Sequence, residues 1–189
     1  PMGLRIVFAG TPEVAVPTLT ALVEDDHEVV GILTRPAKRR GRSKSLIPSE
    51  VAEYALAHNL PVWESERPGD ERTMTWLESV GADLGVVVAY GALLPQKVLD
   101  LMPQGWINLH FSSLPDLRGA APVQRALLRG GTEIGCSVFR LEAGMDTGPI
   151  AAHARYPVGS QATSGEVLHH LAREGAHLVV ATVDQIAAG

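Results

Sequence analysis

In the run at 106–111, WINLHF, an asparagine and a histidine stand two residues apart. Alternate side chains of an extended strand share a face. Trp106, Asn108 and His110 are therefore predicted to point one way, and Ile107, Leu109 and Phe111 the other. The amide and the imidazole would then stand roughly 7 Å apart along the strand. Asparagine is disfavoured in strands and costs free energy when buried without partners. The chain has only two, Asn59 and Asn108, so the one beside a histidine calls for a reason. The next strong signal is 141–149, LEAGMDTGP, a glycine-bounded turn that presents Asp146. An amide can donate to charge developing on an oxygen, an imidazole can donate or move a proton, and a carboxylate can accept one. Asn108, His110 and Asp146 form a candidate catalytic set.

Taken singly, each of the three is more often a structural residue. Other chemistries need residues that are missing. A Ser-His-Asp hydrolase needs an activated serine, and Ser112 and Ser113 lack the Gly-x-Ser-x-Gly elbow. A metal site needs about three convergent ligands. His110 and Asp146 could be two, but no His-x-x-x-His or cysteine cluster supplies the rest. A phosphate-cradling Gly-x-x-x-x-Gly-Lys is absent. Gly10-Thr11-Pro12 follows an apolar run as a dinucleotide site would, but Gly-x-Gly-x-x-Gly is not there. His27, His58, His153, His169, His170 and His177 have no comparable company, and His169 and His170 are expected to be surface or packing residues.

Composition sets the frame for these residues. At 189 residues, 46% of them hydrophobic, one domain with an ample core is expected. No apolar run approaches the roughly 20 residues of a membrane span, and 4–9 is too short for a signal-peptide core. A single cysteine, Cys136, excludes an internal disulfide and suits the cytoplasm; it reads as a buried strand residue. The net charge of −5 argues against a general affinity for polyanions, but its distribution is uneven. Arg35, Lys38, Arg39, Arg40, Arg42 and Lys44 are six of the sixteen basic residues, with no acid among them. Ten basic residues are left against 21 acidic ones elsewhere. A basic loop on an acidic body is a local device.

Strands and helices alternate along the chain. Strands are predicted at 4–9, 28–34, 61–63, 82–89 and 105–110, and helices at 13–24, 49–59, 69–80, 95–101, 122–129 and 164–187. Thr11 is expected to cap the first helix, with Pro12 at its first position. Its apolar face would be Val16, Leu19, Leu22 and Val23; in 69–80 it would be Met74, Leu77 and Val80. The nearly continuous apolar run 82–89 suits a strand buried on both faces of a parallel sheet. Strands at 132–141 and 149–156 are expected to form an antiparallel pair through the Asp146 turn. The basic loop, 35–47, is predicted to lack regular structure because of Pro36, Gly41 and its serines. The pattern gives an α/β fold with a mostly parallel sheet, and ligands of such sheets sit beyond the carboxyl ends of the strands. Asn108, His110 and the loop at 90–94 are all at such ends.

The run Asn108-Leu109-His110, then Ser113-Leu114-Pro115, Arg118-Gly119-Ala120-Ala121-Pro122 and Asp146-Thr147-Gly148, resembles the folate-dependent formyltransferases. The likeness covers nearly the whole chain, from Phe8-Ala9-Gly10-Thr11-Pro12 onward. The chain departs from the family's usual Ser-Leu-Leu-Pro by having Ser112-Ser113-Leu114-Pro115. Arg118–Pro122 and the basic loop narrow the likeness to members that formylate initiator methionyl-tRNA. The resemblance implies a Rossmann-like sheet with helices on both faces. It also implies a formyl donor, 10-formyltetrahydrofolate, without a metal. Val88, Tyr90, Gly91, Leu93, Leu94, Ser112, Ser113, Leu114 and Pro115 would line the donor site. Initiator Met-tRNA would be held at its acceptor stem by Arg35, Lys38, Arg39, Arg40, Arg42 and Lys44, Arg42 foremost.

Formyl transfer to an amine passes through a tetrahedral intermediate with a developing oxyanion. Asn108 and His110 would donate to that oxygen, and Asp146, by likeness to the family, would raise the basicity of His110 or accept the amine's proton. The family continues into a smaller C-terminal domain that assists tRNA binding. The chain is expected to be the N-terminal catalytic domain without it, a cytoplasmic monomer. One rival keeps fold and donor but formylates an amino sugar nucleotide, glycinamide ribonucleotide or water. Another is a non-catalytic RNA-binding module. The basic loop and Arg118–Pro122 weigh against the first, and Asn108, His110 and Asp146 against the second.

Overall fold

The computed structural model describes residues 3–39, 41–42, 45–111, 133–143, 148–157 and 163–189. The predicted helix at 122–129 lies outside them. Nine strands are described: β1 (Arg5–Gly10), β2 (Glu28–Thr34), β3 (Lys38–Arg39), β4 (Leu46–Ile47), β5 (Val62–Glu64), β6 (Leu84–Val88), β7 (Trp106–His110), β8 (Glu133–Arg140) and β9 (Ile150–Pro157). The helices are α1 (Val16–Glu24), α2 (Glu50–Ala57), α3 (Glu71–Val80), α4 (Gln96–Leu99) and α5 (Ser164–Ala188).

Seven strands form one sheet in the order β5-β2-β1-β6-β7-β8-β9. The first five are mutually parallel, and β8 and β9 run antiparallel at the edge. The continuous apolar runs of β1 and β6 are buried because both faces of the sheet are covered. Alternation divides their side chains between two cores. Phe8, Val86, Val88, Ile107 and Leu109 pack with α1, α2 and α5 through Leu19, Val51, Leu171 and Val179. Val7, Val87 and Trp106 pack on the other face with Leu77, Val98 and Met102. Helices on both faces of a mostly parallel sheet make the fold Rossmann-like, as the alternation of elements predicts. Cys136 is a buried residue of β8, and burial pushes its thiol up to about 11, away from nucleophilic use.

Local chemistry sets the helix boundaries. Ser49 caps α2 by accepting the Ala52 N–H at 3.0 Å. Asp70 caps α3 by accepting the Thr73 N–H at 2.8 Å, a bond that holds its carboxyl below the usual range. Thr163 caps α5 at Glu166 N–H, 3.1 Å away. Gly81 ends α3 in the left-handed region at φ 63°.

Two sequence expectations change. The helix expected from residue 13 is a 3-10 turn, Glu13–Ala15, followed by α1. Pro17 has no N–H to return to the Glu13 carbonyl, so a continuous helix through it is unfavourable. Pro12 holds the cap position in extended geometry, and its side chain makes no cap bond. Thr11 is thereby free for another partner. The basic loop, expected to be irregular, carries a short antiparallel ladder that pairs Lys38 with Ile47 and Arg39 with Leu46. Its two roots are joined by the buried Thr34 and Ser49 hydroxyls, 2.7 Å apart.

Candidate active site

β7 carries the candidate amide and imidazole as alternation predicts: Ile107 and Leu109 enter the core under α5, and Trp106 enters the opposite one. Asn108 is half-buried and His110 is buried, 9% exposed. The strand is held between β6, with Val87 opposite Asn108, and β8, with Phe139 opposite Asn108 and Ser137 opposite His110. The His110 ring meets Phe139 edge-on at 6.4 Å. At the start of β7 the Trp106 indole N–H donates to the Val98 carbonyl at 3.2 Å. A β-carbon on the facing Gly85 would lie 2.1 Å from the Trp106 ring, so only glycine admits it.

The loop at 88–94 leaves the carboxyl end of β6, whose neighbour in register at Val88 is Leu109, one residue before His110. Its side chains divide between anchoring and display. Val88, Tyr90 and Leu94 are buried, so what Val88 and Tyr90 can offer a ligand is backbone. The Tyr90 hydroxyl donates to the Ser65 carbonyl, and burial pushes its pKa up to about 12, so it stays neutral. Between these anchors Ala89 sits at φ 51° and Gly91 at φ 93°. The left-handed backbone costs a non-glycine residue about 1–2 kcal/mol, and such strain concentrates at functional loops. Leu93 is displayed, 63% exposed, an apolar side chain suited to a flat heterocycle.

The basic hairpin stands beside this loop. Lys38, Arg39 and Arg42 are exposed, and Leu46 among them is 65% exposed. Arg35, at the root, is partly exposed and ion-paired. Its guanidinium lies 3.4 Å from Glu66, and a β-carbon on Gly91 would lie 2.9 Å from its Cδ. Its backbone N–H donates to Thr11 Oγ1 at 3.3 Å, and the same hydroxyl donates to the Tyr90 carbonyl at 2.7 Å. Thr11, a helix cap by its place in the sequence, is instead a bridge between two loops, and nothing in the sequence marks Ser65. The second proline, Pro17, was the available signal that the cap would move.

Arg40, Lys44, Ser112, Ser113, Leu114, Pro115, the 118–122 run and Asp146 lie outside the described residues. The described flanks of the Asp146 turn stand at the amino end of β7. The Leu141 N–H donates to the Trp106 carbonyl, and the Arg140 N–H to the Pro149 carbonyl, both at 2.9 Å. His110 is four residues further along, about 13 Å. Among the described residues one group has the composition of a cation site, Asp25, His27 and Asp184. His27 Nδ1 accepts the Leu4 N–H at 2.9 Å, which puts the ring proton on Nε2, 2.7 Å from Asp184 and 3.4 Å from Asp25. A cation would need that nitrogen's lone pair, so the group fits a staple between β1 and α5 rather than a ligand set.

A mostly parallel sheet thus carries an amide and an imidazole towards the carboxyl end of β7, beside a strained loop. Residues 4–183 match the family model for formyl transferase, and the chain belongs to that family. It is 51% identical over 186 residues to the methionyl-tRNA formyltransferase of Clavibacter michiganensis, with 98% of this chain and 61% of the relative covered. To the methionyl-tRNA formyltransferase of Acidothermus cellulolyticus it is 50% identical, covering 98% of this chain and 57% of the relative. The chain thus spans about three fifths of the length of these curated relatives. Phosphoribosylglycinamide formyltransferase from Anaplasma phagocytophilum shares the fold, with a TM-score of 0.83 at 21% identity over 98% of this chain and 88% of that one. The Bacillus halodurans protein of the same name gives 0.81 at 19% identity, over 96% of this chain and 94% of that one. No described helix is long and apolar enough to cross a membrane.

Proposed function

We propose that this chain transfers the formyl group of 10-formyltetrahydrofolate to the α-amino group of initiator methionyl-tRNA. The observation that carries the reading is the half-buried Asn108 and buried His110 on one face of β7, beside the strained 88–94 loop, in a chain half identical to methionyl-tRNA formyltransferases. The amine nitrogen attacks the formyl carbon, the bond from that carbon to N10 of the folate breaks, and N10 takes a proton. Asn108 and His110 donate to the oxygen on which charge develops. Asp146 takes the proton that leaves the amine, as the likeness to the family implies. The folate pterin lies against Leu93 and the 88–94 backbone, with 112–115 completing the site. The reaction as proposed uses no metal. Lys38, Arg39 and Arg42, with Arg40 and Lys44, meet the acceptor-stem phosphates of the tRNA, and Arg42 contributes most. The enzyme acts as a cytoplasmic monomer in translation initiation.

The test is the acceptor. Labelled formyl from 10-formyltetrahydrofolate is expected on charged initiator methionyl-tRNA, with little on glycinamide ribonucleotide and little released as formate. Phosphate contacts release counterions, so Arg42→Ala should weaken tRNA binding and flatten its salt slope by about one. Label on glycinamide ribonucleotide, or an unchanged salt slope, would contradict the acceptor assignment.

A further inference from the structure

The Thr11 hydroxyl is shared by two segments with different tasks. It donates to the carbonyl of Tyr90, in the candidate donor loop, at 2.7 Å. It also accepts the backbone N–H of Arg35, at the root of the basic hairpin, at 3.3 Å. The contacts around it form a closed frame. Arg35 packs its side chain against Gly91, where a β-carbon would come within 2.9 Å of Cδ, and reaches Glu66. The Tyr90 hydroxyl returns to the Ser65 carbonyl, and the Ser65 N–H donates to the Thr34 carbonyl at 2.9 Å. Thr34 in turn closes the hairpin root on Ser49. The root of the hairpin and the strained turn at Ala89–Gly91 therefore cannot move independently while Thr11 holds both.

We propose that Thr11 is a positioning residue that couples the two substrate sites, so that an acceptor polyanion settling on the basic hairpin orders the donor loop. The proposal rests on the proposed function for the identity of the two substrates. A residue that joins the two segments gives each ligand an influence on the other, and linkage requires it to be reciprocal. Tetrahydrofolate should bind the wild-type chain roughly tenfold more tightly when uncharged initiator tRNA is saturating, within the usual range for coupled sites.

Thr11→Val keeps the shape of the side chain but removes both hydrogen bonds. It is expected to cut that tenfold factor to less than about twofold while each ligand still binds alone, and Thr11→Ser is expected to restore it. A merely structural role would lower the melting temperature without changing the ratio. If Thr11→Val fails to melt cooperatively, Thr11→Ala serves instead, and the factor should fall there too because it also removes both hydrogen bonds. Binding of both ligands to wild type without coupling overturns this proposal and leaves the proposed function standing. Full coupling in Thr11→Val or Thr11→Ala overturns it as well. Failure of wild type to bind either ligand overturns both readings.

Discussion

Tyr90 is sealed from solvent, 1% exposed, although its loop is a surface loop. Its folded pKa, about 12, lies above the ordinary value of 10.0 because burial disfavours the phenolate. A raised folded pKa means that stability from this group is intact below pH 10 and is lost as pH rises through 12. The buried Cys136 thiol, raised from 9.0 to about 11, loses its share in a lower window, between pH 9 and 11. Tyr90→Phe should cost about 1 kcal/mol at pH 7, since Ser65 loses its donor. It should also remove the part of the alkaline decline between pH 10 and 12, leaving the earlier part. Chemical denaturation at pH 7, 10 and 12 measures both effects, and an unchanged profile would show that the hydroxyl is not buried as described. The placement of Asn108 and His110 on β7 was legible in the sequence, because alternation in an apolar run marks a strand there. Tyr90's inward turn was not, because the left-handed Ala89 that reverses the chain is an ordinary alanine in the sequence.

Helices and strands were largely legible, since each has its own period and cap, and the departures have physical causes. One proline, Pro17, splits the first helix and redirects Thr11 from a cap to a bridge between loops. The basic segment holds a ladder because Thr34 and Ser49, fifteen residues apart, close its root, a pairing that no local pattern announces. Packing between elements was also silent. β7 seats Trp106 against Gly85 because a β-carbon there would lie 2.1 Å from the ring. Gly85→Ala must displace a fully buried indole and should cost about 2–3 kcal/mol by overpacking. For a chain of this size that lowers the melting temperature by roughly 4–12 °C. An unchanged melting temperature would mean that the ring has room that the packing does not show.

At the scale of the molecule, the sheet order gathers the chemistry. β1, β2, β6 and β7 are neighbours, so Thr11, the basic hairpin, the 88–94 loop and His110 meet at one end although up to 99 positions separate them in the chain. The chain's net charge is −5, and its basic cluster stands at that same end, which suits a polyanionic acceptor held locally by an otherwise acidic body. The most direct measurement is single-turnover formyl transfer from 10-formyltetrahydrofolate to initiator methionyl-tRNA by wild type, Asn108→Ala and His110→Ala. A lost oxyanion donor is worth about 2.7–4 kcal/mol, so each variant should transfer 10²–10³-fold more slowly while still binding folate. Wild-type rates in either variant would contradict the placement of the chemistry on β7.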